Sequence, residues 1–493
     1  LLGGQAYCAL ITNAGGGYSR SDGMDVFRWR ADATKDETGQ WIYLRDMTSG
    51  DVWSAAHQPV RAHPVSYRVT FASDRVVFAR LDRTIETRTE IVIVPREHAE
   101  IRQVTVINRS RTAREIEVTS YGEIVLTEAA ADRAHPAFQN LFVETEWLPT
   151  LGAVLASRRP RSAAEKRPWC AHVVATGDDR VGDVTCETDR ARFIGRGRTT
   201  HDPAALDPGS ELSGSAGAVL DPIASLRVRV RLEAGRSTTV AFTTIIAGSR
   251  DEALQSVDRY RDITAAQRAL SLSGTEAQVE LRDLDISPTD AALYQDLAGA
   301  LIYPREALRA PAADRLANRR GQPALWAQGI SGDWPIVLGT IQDDTGMPSV
   351  RQLLVAHKYW RMKGVRCDLV ILNAKAHSYI QDLHDQLTTM VLSSSEGGIL
   401  ETPGGVFIRR ADILSPEEVT LLRATAAVHI VCDGVGLGEV VAAVIEPPES
   451  TPTFTPANFA RLEPPANEKN PPGDATPRPG ASPPSLVPPP AGN

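Results

Sequence analysis

Leu226-Arg227-Val228-Arg229-Val230-Arg231-Leu232 alternates apolar and basic residues without a break. Successive side chains of a β-strand point to opposite faces. This period of two therefore puts Leu226, Val228, Val230 and Leu232 on a core and three arginines toward water. The same alternation runs upstream through Tyr67, Val69 and Phe71, Ile91 and Ile93, Val104 and Val106, and Ile116 and Val118. Many such strands, joined by short polar turns and with no helices between them, predict a large antiparallel β-sandwich over residues 1–250.

Beyond it the period changes. Residues 251–270 and 289–308 carry one apolar stripe each and predict helices, which makes 251–325 a helical linker. From 326 to 445 short apolar strands alternate with helical stripes. Ile336-Val337-Leu338 is a strand, and Val350, Leu353, Leu354, His357 and Trp360 line a helix closed by Gly364. Asp368 to Leu372 is a second strand, and Ile380, Leu383, Leu387 and Val391 line a second helix. Ser415-Pro416-Glu417-Glu418 then supplies a cap, a first-turn proline and a capping-box glutamate for a third. This predicts a small α/β domain with parallel pairing. About a third of residues 446–493 are proline, and this tail is expected to be disordered because it offers too little apolar area to offset its ordering entropy. The fold class is thus mainly β plus α/β.

Composition narrows the function. The 493 residues carry a net charge of −8, the wrong sign for a broad nucleic-acid footprint. Five scattered cysteines, none in a CxxC, form neither a disulfide framework nor a zinc site. The most apolar stretch, Ala424 to Ile445, is interrupted by His429, Asp433 and Glu439 and reads as a buried helix plus a strand. Gly434-Val435-Gly436-Leu437-Gly438 lacks the third fingerprint glycine and an evident helix start, and no GK[ST] follows Gly15-Gly16-Gly17. His377 and His384 share a helix face with no ligand to complete a metal site. No cofactor or metal is expected.

Chemistry concentrates elsewhere. In Gly329-Ile330-Ser331-Gly332-Asp333-Trp334-Pro335 a carboxylate sits between a glycine turn and an indole, the pairing that takes sugar hydroxyls and a sugar ring. Trp29, Asp46 and Trp53 repeat the mixture early in the sandwich, and His135 and Trp326 lie in further polar-aromatic strings. These five, with Asp333, are the six carbohydrate-binding candidates; the core-aromatic reading of the tryptophans stands beside it. A general acid and base must lie roughly 5 to 9 Å apart across a glycosidic bond. Asp333 and Asp343 would flank an extended strand at about 30 Å, which disfavours them as a catalytic pair.

GGGYSR, RWRAD, YLRDMTSGDVWSA, EVTSYGEIVL, AHPAFQNLFVETE, ETDRARFIGRGR, GAVLDPIASLR and LWAQGISGDWPIVL occur in this order. Together they resemble the carboxy-terminal half of cyclic β-1,2-glucan synthases, of the glycosyltransferase family 36 and glycoside hydrolase family 94 lineage, over 1–433. The resemblance implies a β-sandwich of the supersandwich kind and a parent glycosyltransferase of the bacterial inner membrane. It implies a cytoplasmic, soluble segment whose catalytic aspartate belongs to a helical barrel not present here. The expected role is a non-catalytic carbohydrate-binding or scaffold module in β-glucan synthesis or chain-length control. Its expected partner is linear or cyclic β-1,2-glucan or the phosphorylase-like barrel, with neither nucleic acid nor membrane contacted. The alternatives are an independent hydrolase or phosphorylase using Asp333, and a structural module without sugar affinity.

Overall fold

The computed structural model describes residues 1–4, 6–32, 34–162, 165–375 and 382–445; His377, Ile380 and the tail 446–493 lie outside the described residues. Two antiparallel sheets come first. One runs β1 (Leu2–Gly3), β2 (Tyr7–Ala9), β3 (Ser19–Ser21), β4 (Met24–Phe27), β11 (Arg114–Glu128), β16 (Pro222–Leu232) and β15 (Arg180–Asp189). Its β11 is long enough to hold two partners: β5 (Trp41–Asp46) pairs near its start and β4 near its end, while β6 (Val52–Ser54) extends β5. The other sheet runs β12 (Val143–Leu148), β13 (Ala153–Arg158), β14 (Trp169–Thr176), β17 (Ser237–Ala247), β10 (Ala99–Asn108), β9 (Ile85–Ile93), β8 (Arg75–Asp82) and β7 (Ser66–Phe71).

Alternation explains how they stack. Leu226, Val228, Val230 and Leu232 of β16 join Ile116 and Val118 of β11, Val104 and Val106 of β10, and Val240 of β17 in one buried cluster. The opposite face departs from the expectation of water. Phe193 and Ile194 of α3 (Arg190–Ile194), with Ala205, Leu206 and Leu212, pack onto Trp41, Tyr43 and Tyr121 and cover it. Arg227 is only 5% exposed. It donates to Ala205 O at 2.5 Å, Ser210 O at 3.0 Å and Thr119 Oγ1 at 3.0 Å. The covering segment has carbonyls that need donors, and arginine supplies five.

The outer face of the second sheet is sealed by α4 (Arg250–Tyr260) and α5 (Ile263–Asp283). The expected helix over 251–270 is therefore two, because Asp262 accepts from Thr264 N–H at 2.9 Å and starts a new one. The helix α6 (Pro288–Ile302) stops short of 308 because Pro304 disfavours helical backbone at Tyr303. Two short helices, α1 (Ala129–Ala134) and α2 (Pro136–Asn140), bridge β11 and β12.

After α7 (Ala312–Ala317) and α8 (Pro323–Trp326) comes a four-stranded parallel sheet, ordered β20 (Val406–Arg410), β19 (Asp368–Asn373), β18 (Ile336–Ile341) and β21 (Val428–Cys432). Helices α9 (Met347–Met362), α10 (Asp382–Ser393) and α12 (Leu437–Ile445) bury one face of it. The other is buried by α8 and α11 (Pro416–Thr425). The strand order reverses between β18 and β21, as in doubly wound sheets. The apolar stretch ending at Ile445 holds a strand followed by a helix, so a helix does follow Gly434 to Gly436. Residues 1–445 form one compact unit.

Candidate functional site

The predicted residues separate into three settings. Trp53 faces the sandwich core at 3% exposure, and its indole N–H is buried without a partner among the described residues. Asp46 is buried as well and holds a turn: its Oδ1 accepts from Thr48 N–H at 2.8 Å, and Arg114 lies 3.6 Å away. Trp29 packs edge-on to Tyr18, with ring centres 5.4 Å apart. His135 is exposed at the junction of α1 and α2. Only Trp326 and Asp333 come together on an open surface.

That surface is a lip between α8 and β18. Trp326 is 60% exposed and Trp334 37%. The Trp326 indole N–H donates to Ser331 O at 3.0 Å, which fixes the ring. Gln322 Nε2 donates to the same carbonyl at 2.9 Å and to Asp333 Oδ1 at 3.3 Å. Gly332 has φ +72°, and a Cβ there would stand 3.0 Å from Gln322 Cγ, so glycine lets the turn close. The guanidinium of Arg366 lies 5.5 Å from the Trp334 ring centre. Two ring faces, a carboxylate, an amide and a guanidinium thus share one rim. Behind them Asp368 is fully buried: its Oδ1 accepts from Gly404 N–H at 2.6 Å, and Oδ2 has no partner among the described residues. Burial, with the Asp333 charge adding to it, pushes the Asp368 carboxyl up.

The usual ligand position of a doubly wound sheet is closed here. A Cβ on Gly346 would meet Cys432 O at 2.3 Å, and Ser349 Oγ donates to Val435 O at 2.9 Å across the reversal point. The first amide of α12, Leu437 N–H, is taken by Gln352 Oε1 at 2.9 Å. Among the described residues these contacts fill the reversal point where a nucleotide would otherwise lie.

A second cluster joins five of the sequence strings that carry the family resemblance. Arg28 holds Asp132 through two bonds of 3.1 and 2.8 Å, Glu123 at 2.7 Å and Asn140 Oδ1 at 2.8 Å. Arg190 and Tyr121 both donate to Glu123 Oε1, at 2.8 and 2.9 Å, and Asn140 Nδ2 donates to Asp221 at 2.7 Å. Burial would raise the Glu123 carboxyl, but Arg190 and Arg28 beside it hold it below its usual range. The density of polar groups in Arg28 to Arg30, Asp132 to Phe138 and Glu187 to Arg190 was the sign of this cluster in the sequence; their convergence was not legible there.

The chain is thus a sandwich of two large antiparallel sheets carrying a parallel α/β layer, with an aromatic-acid lip on that layer and a buried polar hub in the sandwich. The match to the family described as glycosyl hydrolase 94, supersandwich domain, covers residues 1–263, and the chain belongs to that family. It is 38% identical over 430 residues to cyclic beta-(1,2)-glucan synthase NdvB of Rhizobium meliloti, covering 87% of this chain and 15% of that protein. It is 26% identical over 275 residues to N,N'-diacetylchitobiose phosphorylase of Vibrio proteolyticus, covering 55% of this chain and 33% of that one. The chain thus spans a minor part of the length of these relatives.

Proposed function

We propose that this chain is a glycan-contacting, non-catalytic portion of a cyclic β-1,2-glucan synthase-like glycosyltransferase. In this reading it serves β-glucan synthesis or chain-length control from the cytoplasmic side of an inner-membrane enzyme. Among the described residues no helix is long and apolar enough to cross a membrane. The observation that carries the reading is the lip: the exposed Trp326 and Trp334 flank a carboxylate that, among the described residues, makes one long internal bond. Indole faces take the C–H faces of a pyranose, and Asp333 takes its hydroxyls. Against catalysis, Asp333 and Asp343 sit beyond opposite ends of β18, while Asp343 Oδ1 is spent on Thr345 N–H at 2.9 Å.

Calorimetric titration with linear and with cyclic β-1,2-glucan tests this. Saturable heat that falls at least fivefold in affinity in Trp326→Ala and Trp334→Ala is expected. Flat titrations with both glucans would leave a scaffold without sugar affinity. Release of glucose 1-phosphate from β-1,2-glucooligosaccharides and phosphate, lost in Asp333→Asn, would replace the non-catalytic reading with an enzymatic one.

A further inference from the structure

A groove of about 770 Å³ lies between α9 and α10, helices that pack on the opposite face of the parallel sheet from α8 and the lip. Small-molecule sites commonly span roughly 300 to 1,000 Å³. Its floor is apolar, with Met347, Leu354 and Met390; its walls are polar. Asp382, Asp385, Gln386 and Thr389 recur at helical spacing along α10 and are all exposed. Arg351 faces them from α9. Neither Arg351 nor these four side chains has a hydrogen-bond or ion-pair partner among the described residues, although cation and carboxylates border the same space.

At the end of the groove lies Glu396, 1% exposed. His357 Nδ1 meets its Oε2 at 2.5 Å and Arg361 Nη1 reaches the same oxygen at 3.4 Å. The second carboxylate oxygen, Oε1, accepts no hydrogen bond among the described residues. His357 Nε2 must donate to Cys367 O, 3.1 Å away, because a carbonyl only accepts. The proton on Nδ1 is therefore shared with Glu396. One oxygen of this buried carboxylate thus carries both bonds, the other carries none among the described residues, and Glu396 lines the groove.

From this arrangement we infer that the α9–α10 groove is a second binding site for a neutral oligosaccharide, anchored on Glu396 and walled by Arg351 and the polar stripe of α10. Sugar hydroxyls donate and accept, so they match a wall bearing carboxylates, an amide, a hydroxyl and a guanidinium together. A ligand of one charge would meet its own sign across the groove. The methionine floor adapts to a pyranose face. The choice of glycan as ligand rests on the proposed function above; the groove and its unused polar groups do not.

Methionine-methyl NMR on the full chain separates the two sites. Of the five methionines, Met347 and Met390 line the groove, whereas Met24, Met47 and Met362 do not. Titrating linear β-1,2-glucooligosaccharides into the Trp326→Ala/Trp334→Ala protein is expected to shift Met347 and Met390 alone. Adding Arg351→Ala or Gln386→Ala should weaken that response at least fivefold while leaving the thermal midpoint unchanged. Still methyls at Met347 and Met390, or shifts indifferent to both groove substitutions, would overturn the groove site. Such a result would leave the lip to be judged on its own titration. Groove shifts with no effect of the lip substitutions on total binding would instead keep the groove and remove the lip.

Discussion

His172 and His357 are both buried, and their surroundings drive them in opposite directions. His172 lies between Ser120 Oγ at 2.9 Å and Thr244 Oγ1 at 3.0 Å and stacks on Phe242. Hydroxyls satisfy a neutral imidazole, and burial, with Arg102 nearby, lowers this histidine to about 3. Burial also opposes charge on His357, but its bonds to Cys367 O and Glu396 win and raise it to about 10. The signs follow from proton binding. Below about pH 6.5 the unfolded chain protonates at His172 and the folded one does not, so this contribution is present above that pH and lost toward 3. Between about 6.5 and 10 the folded chain holds the extra proton at His357, so stability falls as pH rises through that window. Urea midpoints measured from pH 5 to 10 should therefore decline on the alkaline side, and His357→Gln should flatten that decline. It should also cost about 3 kcal/mol at neutral pH, since Glu396 is left buried with only a long contact to Arg361. An unchanged alkaline slope in the variant would assign the effect to other groups. Glu123→Gln, which strips the shared partner from Arg28 and Arg190, should cost about 3 kcal/mol in the same assay.

Elements are set by their ends as much as by their stripes. Helix α9 closes with Val365 N–H on Trp360 O at 2.9 Å and Gly364 N–H on Arg361 O at 3.1 Å. Gly364 has φ +76°, and a Cβ there would come within 2.5 Å of Cys8 Sγ in the first sheet. Gly364→Ala should destabilise by about 2 kcal/mol or more, read by chemical denaturation, because strain and overlap add. Ser415→Ala removes one half of the capping box that starts α11 and should cost about 1 kcal/mol. Both ends were legible in the sequence because glycine and serine act on neighbouring backbone. The break between α4 and α5 was also signalled, by Asp262, yet a continuous apolar stripe hid it. Arg227 was not legible: period two says that it leaves the core, but not that residues 190–212 return to cover it.

Across the whole unit, the α/β layer is bolted to the sandwich and its helices. Lys363 Nζ reaches Gly3 O at 3.0 Å and Glu280 at 2.6 Å, and the Trp360 indole N–H donates to Tyr294 O at 2.7 Å. Trp360 is fully buried in a cluster that also takes Cys8, Leu10 and Tyr18. Its replacement by alanine should cost roughly 3 to 5 kcal/mol. Hydrogen exchange should then show the loss in sandwich amides as well as in α9. Loss confined to 326–445 would mean that the two parts unfold independently.

The sequence by itself determined the sandwich, the parallel layer and the family. Those follow from side-chain period, turn chemistry and ordered strings, which are local or short-range properties of the chain. Tertiary structure alone decided which of the candidates share a surface. Trp53 and Trp326 read alike as indoles beside polar groups, but one faces the core and the other stands 60% exposed. The gathering of Arg28, Glu123, Asp132, Asn140 and Arg190, and the pairing of His357 with Glu396, likewise depend on packing between distant segments. Solvent exposure and long-range contact are set by what folds back over a residue, and no neighbour in the chain records it.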